Sequence, residues 1–127
     1  MEYKKTRIAP TPSGYLHLGN VLSFLITVTL GKRYGAKLLL RIDDLDTTRT
    51  RKEFVCDIFS TLEFVGIPWD EGPRDYKDYR ENFPQSIRLP EYEAALDQLR
   101  KHGHLFACTC SRKTITAANP NGAYPVT

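Results

Sequence analysis

The first part of the chain alternates between strand-like and helix-like segments. Residues 5–9 predict a strand, and residues 21–34 are apolar on nearly every side. Periodicity alone leaves residues 21–34 open to a pair of buried strands, but their length and the closing Gly35 favour a buried helix. Residues 37–42 form a continuous apolar run, which is typical of a parallel strand covered on both faces. The sequence therefore predicts a right-handed βαβ unit and an α/β fold class.

Composition sets broad limits. The 127 residues are enough for one core, and 41% hydrophobic with 26% charged residues is ordinary for a globular protein. A net charge of +3 permits an RNA or nucleotide partner without arguing for one. No apolar run reaches the length of a membrane span, and no signal peptide is recognisable. The three cysteines argue against a disulfide framework, so we expect a reducing cytoplasm and no membrane partner.

The loop of residues 10–20 connects the first strand to the helix and contains Gly14 and two prolines. It brings His17 and Gly19 to the start of the helix, where unpaired backbone N–H groups and the helix dipole favour an anion such as a phosphate. An imidazole N–H of His17 can join those donors, and Gly19 leaves room for a ligand near the backbone. This loop predicts a nucleotide site beyond the carboxyl end of the first strand.

Three carboxylates follow the second strand within Asp43-Asp44-Leu45-Asp46. A solvated acidic turn is one interpretation, and a Mg²⁺ site is another, because Mg²⁺ prefers carboxylates and phosphates. The residues alone leave both open.

Beyond these acids the sequence predicts further helices. Thr50-Arg51-Lys52-Glu53 is a capping box, and apolar residues at helical spacing continue from it until Gly66 stops the helix. The remaining elements are predicted as a turn at residues 69–73, irregular structure with a short helix within 74–88, and a helix at 90–102 that Gly103 stops.

A short strand is predicted from His104 and runs into Cys108-Thr109-Cys110. Two thiolates at this spacing can reach one Zn²⁺, which needs four ligands in a tetrahedral arrangement. Two ligands do not make a site, so a pair of reduced thiols stays open as the alternative.

Two motifs carry a family resemblance. The run from Pro10 to Asn20, with Arg7 and Ala9 before it, resembles the signature region of class I glutamyl and glutaminyl aminoacyl-tRNA synthetases. His17-Leu18-Gly19-Asn20 takes the place of the His-Ile-Gly-His tetrapeptide of that class, with Asn20 at the second histidine. The run of residues 41–46, Arg-Ile-Asp-Asp-Leu-Asp, is similar to the second signature of this branch.

The resemblance implies a Rossmann-like parallel sheet that forms about the first half of a catalytic domain. Residues 1–104 would be a nucleotide- and amino-acid-binding half-domain, and residues 105–127 the start of a connective, zinc-binding insertion. The thirteen residues between Cys110 and Tyr124 resemble the compact glutamyl-Q tRNA(Asp) kind, with an ordinary glutamate–tRNA ligase as the runner-up.

The resemblance also implies roles for particular residues. Catalytic roles fall on His17, Gly19 and Asn20; ATP binding on Pro12, Ser13, Gly14, His17, Gly19 and Asn20; glutamate binding on Arg7, Ala9, Thr11 and Asp43; and metal binding on Cys108, Cys110 and Tyr124.

The implied reaction has two steps, in which glutamate attacks the α-phosphorus of ATP and a tRNA hydroxyl then takes the glutamyl group. The implied partners are L-glutamate, ATP with Mg²⁺ and a tRNA, and we expect a cytoplasmic monomer. The resemblance also implies Zn²⁺, but the third cysteine of the family pattern is missing, so we expect a weak or empty zinc site. No Lys-Met-Ser-Lys-Ser-like loop occurs in the sequence. We therefore expect these residues to be a fragment without full turnover of its own. A nucleotide-binding paralogue without ligase activity and a small-molecule nucleotidyltransferase remain as alternatives.

Overall fold

A computed structural model describes residues 4–118, which separate into two compact units with the division between Pro90 and Glu91. The first unit contains strands β1 (Lys5–Ile8) and β2 (Lys37–Leu40), helices α1 (Leu18–Arg33), α2 (Lys52–Val65) and α3 (Tyr76–Asn82), and a 3₁₀ turn (Gln85–Arg88). Helices α4 (Leu89–Lys101), which begins just before the division, and α5 (Arg112–Ala118) follow.

Strands β1 and β2 form a parallel pair, with Lys5 opposite Lys37 and Ile8 opposite Leu40. Helix α1 connects them, so the predicted βαβ unit and the α/β fold class are confirmed. The opposite edge of β2 is also covered, because Leu39 forms a parallel bridge with Glu71. Because β1 and β2 are parallel, the loops that leave their carboxyl ends emerge at the same end of the sheet.

Helix α1 begins at Leu18, three residues before the predicted start, and packs on the strands through one stripe only. The buried residues of this stripe are Phe24, Val28 and Gly31, and a Cβ on Gly31 would lie 3.0 Å from Thr6 Cγ2. The prediction of a helix buried on all sides is wrong for this structure: Leu18 is 83% exposed. The other exposed apolar residues of the helix are Leu22, Leu25, Ile26 and Leu30. A continuous apolar sequence does not identify which side meets the sheet, and close contact with β1 selects the side that carries glycine.

Helix α2 supplies much of the core. Its residues Val55, Ile58 and Leu62 are 1% exposed or less, as expected from their helical spacing. The rest of the core consists of Ile8, Phe24, Val28, Leu38, Leu40, Ile42, Ile67 and Tyr79. Leu40 and Ile58 are among the largest fully buried side chains, so the sheet and α2 share one apolar core.

The start of α2 differs from the prediction. Arg51 is the N-cap and makes no side-chain capping bond, so the predicted capping box does not form. The Thr50 hydroxyl instead donates to the backbone oxygen of Asp46 at 3.1 Å, which ties it to the acidic turn. The end of the helix is as predicted: Gly66 adopts a left-handed conformation with φ of 71°.

The later segments follow the predictions in part. Helix α3 lies within the segment predicted to contain a short helix, and α4 with Gly103 at its end is confirmed. The strand predicted from His104 is wrong, since residues 104–110 carry no regular secondary structure. The domain boundary predicted after residue 104 stays a prediction. Among the described helices, none combines the length and the apolar character needed to cross a membrane.

Candidate active site

A cavity of about 580 Å³ lies at the carboxyl end of β1, a size typical of small-molecule sites. Its lining includes seven of the residues selected from sequence: Arg7, Ala9, Thr11, Ser13, Gly14, His17 and Asn20. Of the other selected residues, Pro12 is fully buried, Gly19 lies in the first turn of α1, and Asp43 lies outside the lining. The structure therefore gathers most of the predicted nucleotide and glutamate residues around one space.

His17 caps helix α1. Its Nδ1 accepts a hydrogen bond from the Gly19 N–H at 3.1 Å, and its backbone N–H donates to Asn20 Oδ1 at 3.0 Å. The two side chains thus form a reciprocal capping box. Because Nδ1 accepts, a neutral His17 ring carries its proton on Nε2, and this N–H is left to donate to a bound ligand.

The structure gives Gly19 a local role beside His17, and its predicted role in nucleotide binding stays a prediction. A Cβ at this position would lie 3.0 Å from His17 Cε1 and 3.1 Å from Nδ1. The missing side chain therefore gives space first to the His17 ring, which lies over the end of the helix. The Gly19 backbone N–H is already bound to the His17 ring. The imidazole of His17, and not this N–H, is therefore the group that faces the cavity.

Sequence reasoning missed two polar residues of α1 that line the cavity, Ser23 and Thr27. The Thr27 hydroxyl donates to the Ser23 backbone oxygen at 2.9 Å, a common arrangement inside helices. A signal was present in the sequence: with Asn20 they form a polar stripe at helical spacing within the mostly apolar residues 18–28.

Arg7 lines the same cavity and is an exposed residue at the end of β1. It takes part in none of the ion pairs formed within residues 4–118. A guanidinium without an anionic partner in an open cavity can form a two-point contact with a ligand carboxylate.

The Asp43 carboxylate is occupied by protein groups. Arg41 donates from Nε at 2.6 Å and from Nη2 at 2.9 Å, and the Gln85 side-chain amide donates to the same carboxylate at 2.9 Å. The Asp43 backbone N–H donates to the Pro10 oxygen at 2.9 Å, so this residue lies beside the cavity loop. Its assignment to the glutamate pocket stays a prediction.

Asp44 is the buried acid of this cluster, at 7% exposure. The Tyr79 hydroxyl donates to Oδ2 at 2.6 Å and the Gln85 backbone N–H donates to Oδ1 at 2.9 Å. Burial, together with the neighbouring Asp44 carboxylate, raises the pKa of Tyr79 well above its usual range. Asp44 therefore joins the end of β2 to α3 and to the 3₁₀ turn.

Asp46 is exposed and bonds locally. The Thr48 hydroxyl and backbone N–H both donate to Oδ1, and the hydroxyl bond lowers the pKa of the Asp46 carboxyl below its ordinary value. Within residues 4–118, no group of three or more histidine, cysteine or acidic side chains is placed to hold a metal ion. The three carboxylates after β2 are bonded to protein groups, and their interpretation as a Mg²⁺ site stays a prediction.

Cys108 and Cys110 are exposed and free of disulfides. A hydrogen bond with the Cys108 thiol raises the pKa of Cys110. Tyr124, the third predicted ligand, lies outside the described residues. The two thiols alone do not amount to a zinc site, which needs four ligands.

Comparison with known proteins gives a consistent result. A profile of the family described as "tRNA synthetases class I (E and Q), catalytic domain" matches residues 4–123. A glutamyl-Q tRNA(Asp) synthetase of Nitratidesulfovibrio vulgaris is 38% identical over 109 residues, which is 86% of this chain and 33% of that protein. A glutamate–tRNA ligase of Elusimicrobium minutum is 34% identical over 126 residues, which is 94% of this chain and 25% of that protein.

Among solved structures, a glutamate–tRNA synthetase of Elizabethkingia anophelis superimposes with a TM-score of 0.65 at 30% identity. The match covers 79% of this chain and 20% of that one. The chain thus spans about a fifth to a third of the length of these proteins.

Proposed function

The chain belongs to the family of class I tRNA synthetases for glutamate and glutamine, catalytic domain, and we propose that it supplies part of a site that activates glutamate with ATP. The observation that carries the proposal is the juxtaposition of His17 and Arg7 in one cavity. One group suits a phosphate of ATP and the other suits the side-chain carboxylate of glutamate, and the activation of glutamate needs both substrates bound next to each other.

His17 and the N-terminal end of α1 account for the nucleotide. The capping geometry leaves the Nε2–H of His17 to donate to a phosphate oxygen, and the positive end of the helix dipole lies on the same side. Ser13, Gly14 and Asn20, which line the cavity, would contact the nucleotide around it. Mg²⁺ would enter as the counter-ion of ATP, and we assign it no protein ligand.

Arg7 accounts for the amino acid. Its guanidinium would hold the side-chain carboxylate of glutamate by two parallel hydrogen bonds, with Ala9 and Thr11 beside it. An amide cannot accept two such bonds from one guanidinium with equal charge complementarity, so this contact favours glutamate over glutamine.

The chemistry that follows needs no covalent bond to the protein. An oxygen of the glutamate α-carboxylate bonds to the α-phosphorus, and the bond from that phosphorus to the bridging oxygen breaks and releases pyrophosphate. A hydroxyl of a tRNA then attacks the glutamyl carbonyl carbon, and AMP leaves. The protein holds the reactants in line, and its donors stabilise charge on the phosphate oxygens.

The acceptor would be a tRNA, and relatives of two kinds, glutamyl-Q tRNA(Asp) synthetases and glutamate–tRNA ligases, match with similar identity. We place the reaction in the cytoplasm and assign the working unit as a monomer. Zinc stays outside the proposal until a third ligand beside Cys108 and Cys110 is identified.

The test is ATP–pyrophosphate exchange on the complete gene product, with glutamate, glutamine or aspartate, and with or without tRNA. We expect exchange with glutamate and its loss in His17→Gln, while His102→Gln, an exposed histidine outside the cavity, keeps the full rate. Exchange without tRNA would support the glutamyl-Q kind, and exchange that requires tRNA would support the ligase kind. A folded protein without exchange under any condition would refute the proposal and leave a nucleotide-binding module.

A further inference from the structure

The residues that present His17 are held from outside the loop. The Leu16 backbone N–H donates to Oδ2 of Asp57 at 2.9 Å, across 41 positions of sequence. Asp57 lies in the middle of α2, so this bond joins the cavity loop to the helix that supplies much of the core. The peptide group that Asp57 holds is the one immediately before Leu16, and His17 follows directly.

A second contact repeats the connection. The Tyr15 and Phe54 rings meet edge to face, with centroids 5.1 Å apart and planes at 84°. Phe54 and Asp57 are three residues apart on α2 and so share a face of the helix. The support itself is rigid, because the buried side of α2 carries Val55 and Ile58 at 1% exposure or less.

The loop gives His17 little support of its own. Residues 14–16 have no regular secondary structure, and the side-chain bonds at His17 involve residues that follow it: its ring accepts from the Gly19 N–H, and its backbone N–H donates to Asn20 Oδ1. The backbone conformation at His17, and with it the bond from the Gly19 N–H to the His17 ring, therefore depends on what holds Leu16. A carboxylate that accepts from a backbone N–H is a charge-assisted bond, which is shorter and stronger than a neutral one.

We propose that Asp57 is a positioning residue, which fixes the peptide group between Tyr15 and Leu16 and thereby sets where the imidazole of His17 meets the nucleotide. The proposal rests on the function given above for the cavity. Asp57 would not touch the reacting atoms; it would act through Leu16 and the α1 cap. Its carboxylate is half-buried and bound to the loop, whereas Glu63 on the same helix is exposed and makes no side-chain bond within the described residues.

The first test reads the His17 ring directly and needs no activity. In ¹⁵N-histidine-labelled protein at alkaline pH, where imidazole is neutral, we expect an unprotonated Nδ1 and a protonated Nε2. Asp57→Ala should move both nitrogen shifts toward the average of two tautomers. Asp57→Asn, which keeps an acceptor oxygen, and the surface control Glu63→Ala should leave them in place. His17 shifts that stay unchanged in a folded Asp57→Ala protein would overturn the proposal.

The second test is kinetic, on the complete gene product. We expect Asp57→Ala to lower kcat for ATP–pyrophosphate exchange by roughly tenfold to a hundredfold, with KM for ATP and glutamate within about threefold, because misplacement acts on the transition state. Asp57→Asn should recover most of the rate. Equal losses in Asp57→Ala and Glu63→Ala, with thermal unfolding unchanged, would contradict positioning. Absence of exchange in the unsubstituted protein would instead refute the proposed function, and the tautomer measurement would still decide the role of Asp57.

Discussion

The loops after β1 and β2 are neighbours, joined by the bond from the Asp43 N–H to the Pro10 oxygen, yet they use their polar groups in opposite ways. After β2, the Asp43 carboxylate is bound by Arg41 and Gln85, and Asp44 is buried beneath Tyr79. Arg7, at the end of β1 itself, has no ion pair within residues 4–118, and in the loop after β1 a neutral His17 ring has its Nε2–H left to donate to a ligand.

From this difference we interpret the loop after β2 as a structural element and the loop after β1 as the candidate binding site. A cluster of acids attracts attention in a sequence, but Asp44 has two hydrogen bonds and almost no exposed surface, so it acts on folding. The loop after β1 has lower charge density and more available donors. Availability, which the structure shows and the composition does not, decides where a ligand can bind. We therefore expect substitutions after β2 to change stability and those after β1 to change binding.

The largest effect is expected from Asp44→Ala. The change leaves the Tyr79 hydroxyl and the Gln85 N–H without their acceptor in a buried place, which should cost about 3 kcal/mol of the free energy of unfolding. Urea unfolding, followed by the fluorescence of the single tryptophan, Trp69, measures it. Asp46→Ala is the matched control. The Asp46 carboxylate is exposed, so its removal should leave the urea midpoint in place. Equal midpoints for the two variants would remove the distinction between buried and surface acids.

A smaller effect is expected from Tyr79→Phe, about 1–2 kcal/mol, because Oδ2 of Asp44 loses its donor while the ring still packs in the core. The pH dependence gives an independent reading. Burial and Asp44 raise the pKa of Tyr79, so the folded protein holds the phenol proton more tightly than the unfolded chain does. The resulting stability is complete below the ordinary tyrosine pKa of about 10 and is lost as the pH rises above it.

Urea unfolding between pH 8 and 11.5 would check this prediction. Tyr79→Phe should flatten the fall in stability above pH about 10, whereas Tyr92→Phe, at a position outside this network, should keep the slope of the unsubstituted protein. A slope that is the same in both variants would show that another group controls alkaline unfolding.

Sequence reasoning recovered the local half of this comparison. The cap of α1 at His17 and the end of α2 at Gly66 depend on residues a few positions apart, and the βαβ unit follows from the order of its strand and helix segments, so these patterns are visible in one sequence. Tyr79 and Gln85, the partners of Asp44, lie 35 and 41 positions away, and Asp57 lies 41 positions from Leu16. No spacing rule identifies partners at such separations. The exposed apolar side of α1 was also missed, because apolar periodicity cannot tell which sides of a helix a neighbour covers.

The predicted capping box at residues 50–53 shows a second limit of sequence reasoning, which is competition between alternative hydrogen bonds. The sequence fits the capping-box pattern, yet the Thr50 hydroxyl donates to the backbone oxygen of Asp46 and does not cap the helix. A capping preference of about 1 kcal/mol is easily overridden by a competing hydrogen bond, here one to the backbone four residues earlier. His17, by contrast, caps its helix with Asn20 and Gly19 close by, and there the local rule prevails.

The smallest change in stability, and the sharpest test of the loop after β1, is expected from Gly19→Ala. The added Cβ would meet the His17 ring at 3.0 Å, and because a side-chain ring can turn away, the cap is lost without a backbone shift. Loss of a cap costs about 1 kcal/mol, and alanine in place of glycine in a helix returns about the same, so the urea midpoint should hardly move. ATP affinity, measured by calorimetry on the complete gene product, should fall about tenfold, the equivalent of one charge-assisted hydrogen bond. Leu22→Ala, an exposed site in the same helix outside the cavity lining, is the control and should leave affinity unchanged. A lower urea midpoint with unchanged ATP affinity would contradict this prediction and show that the loop after β1 also acts mainly on stability.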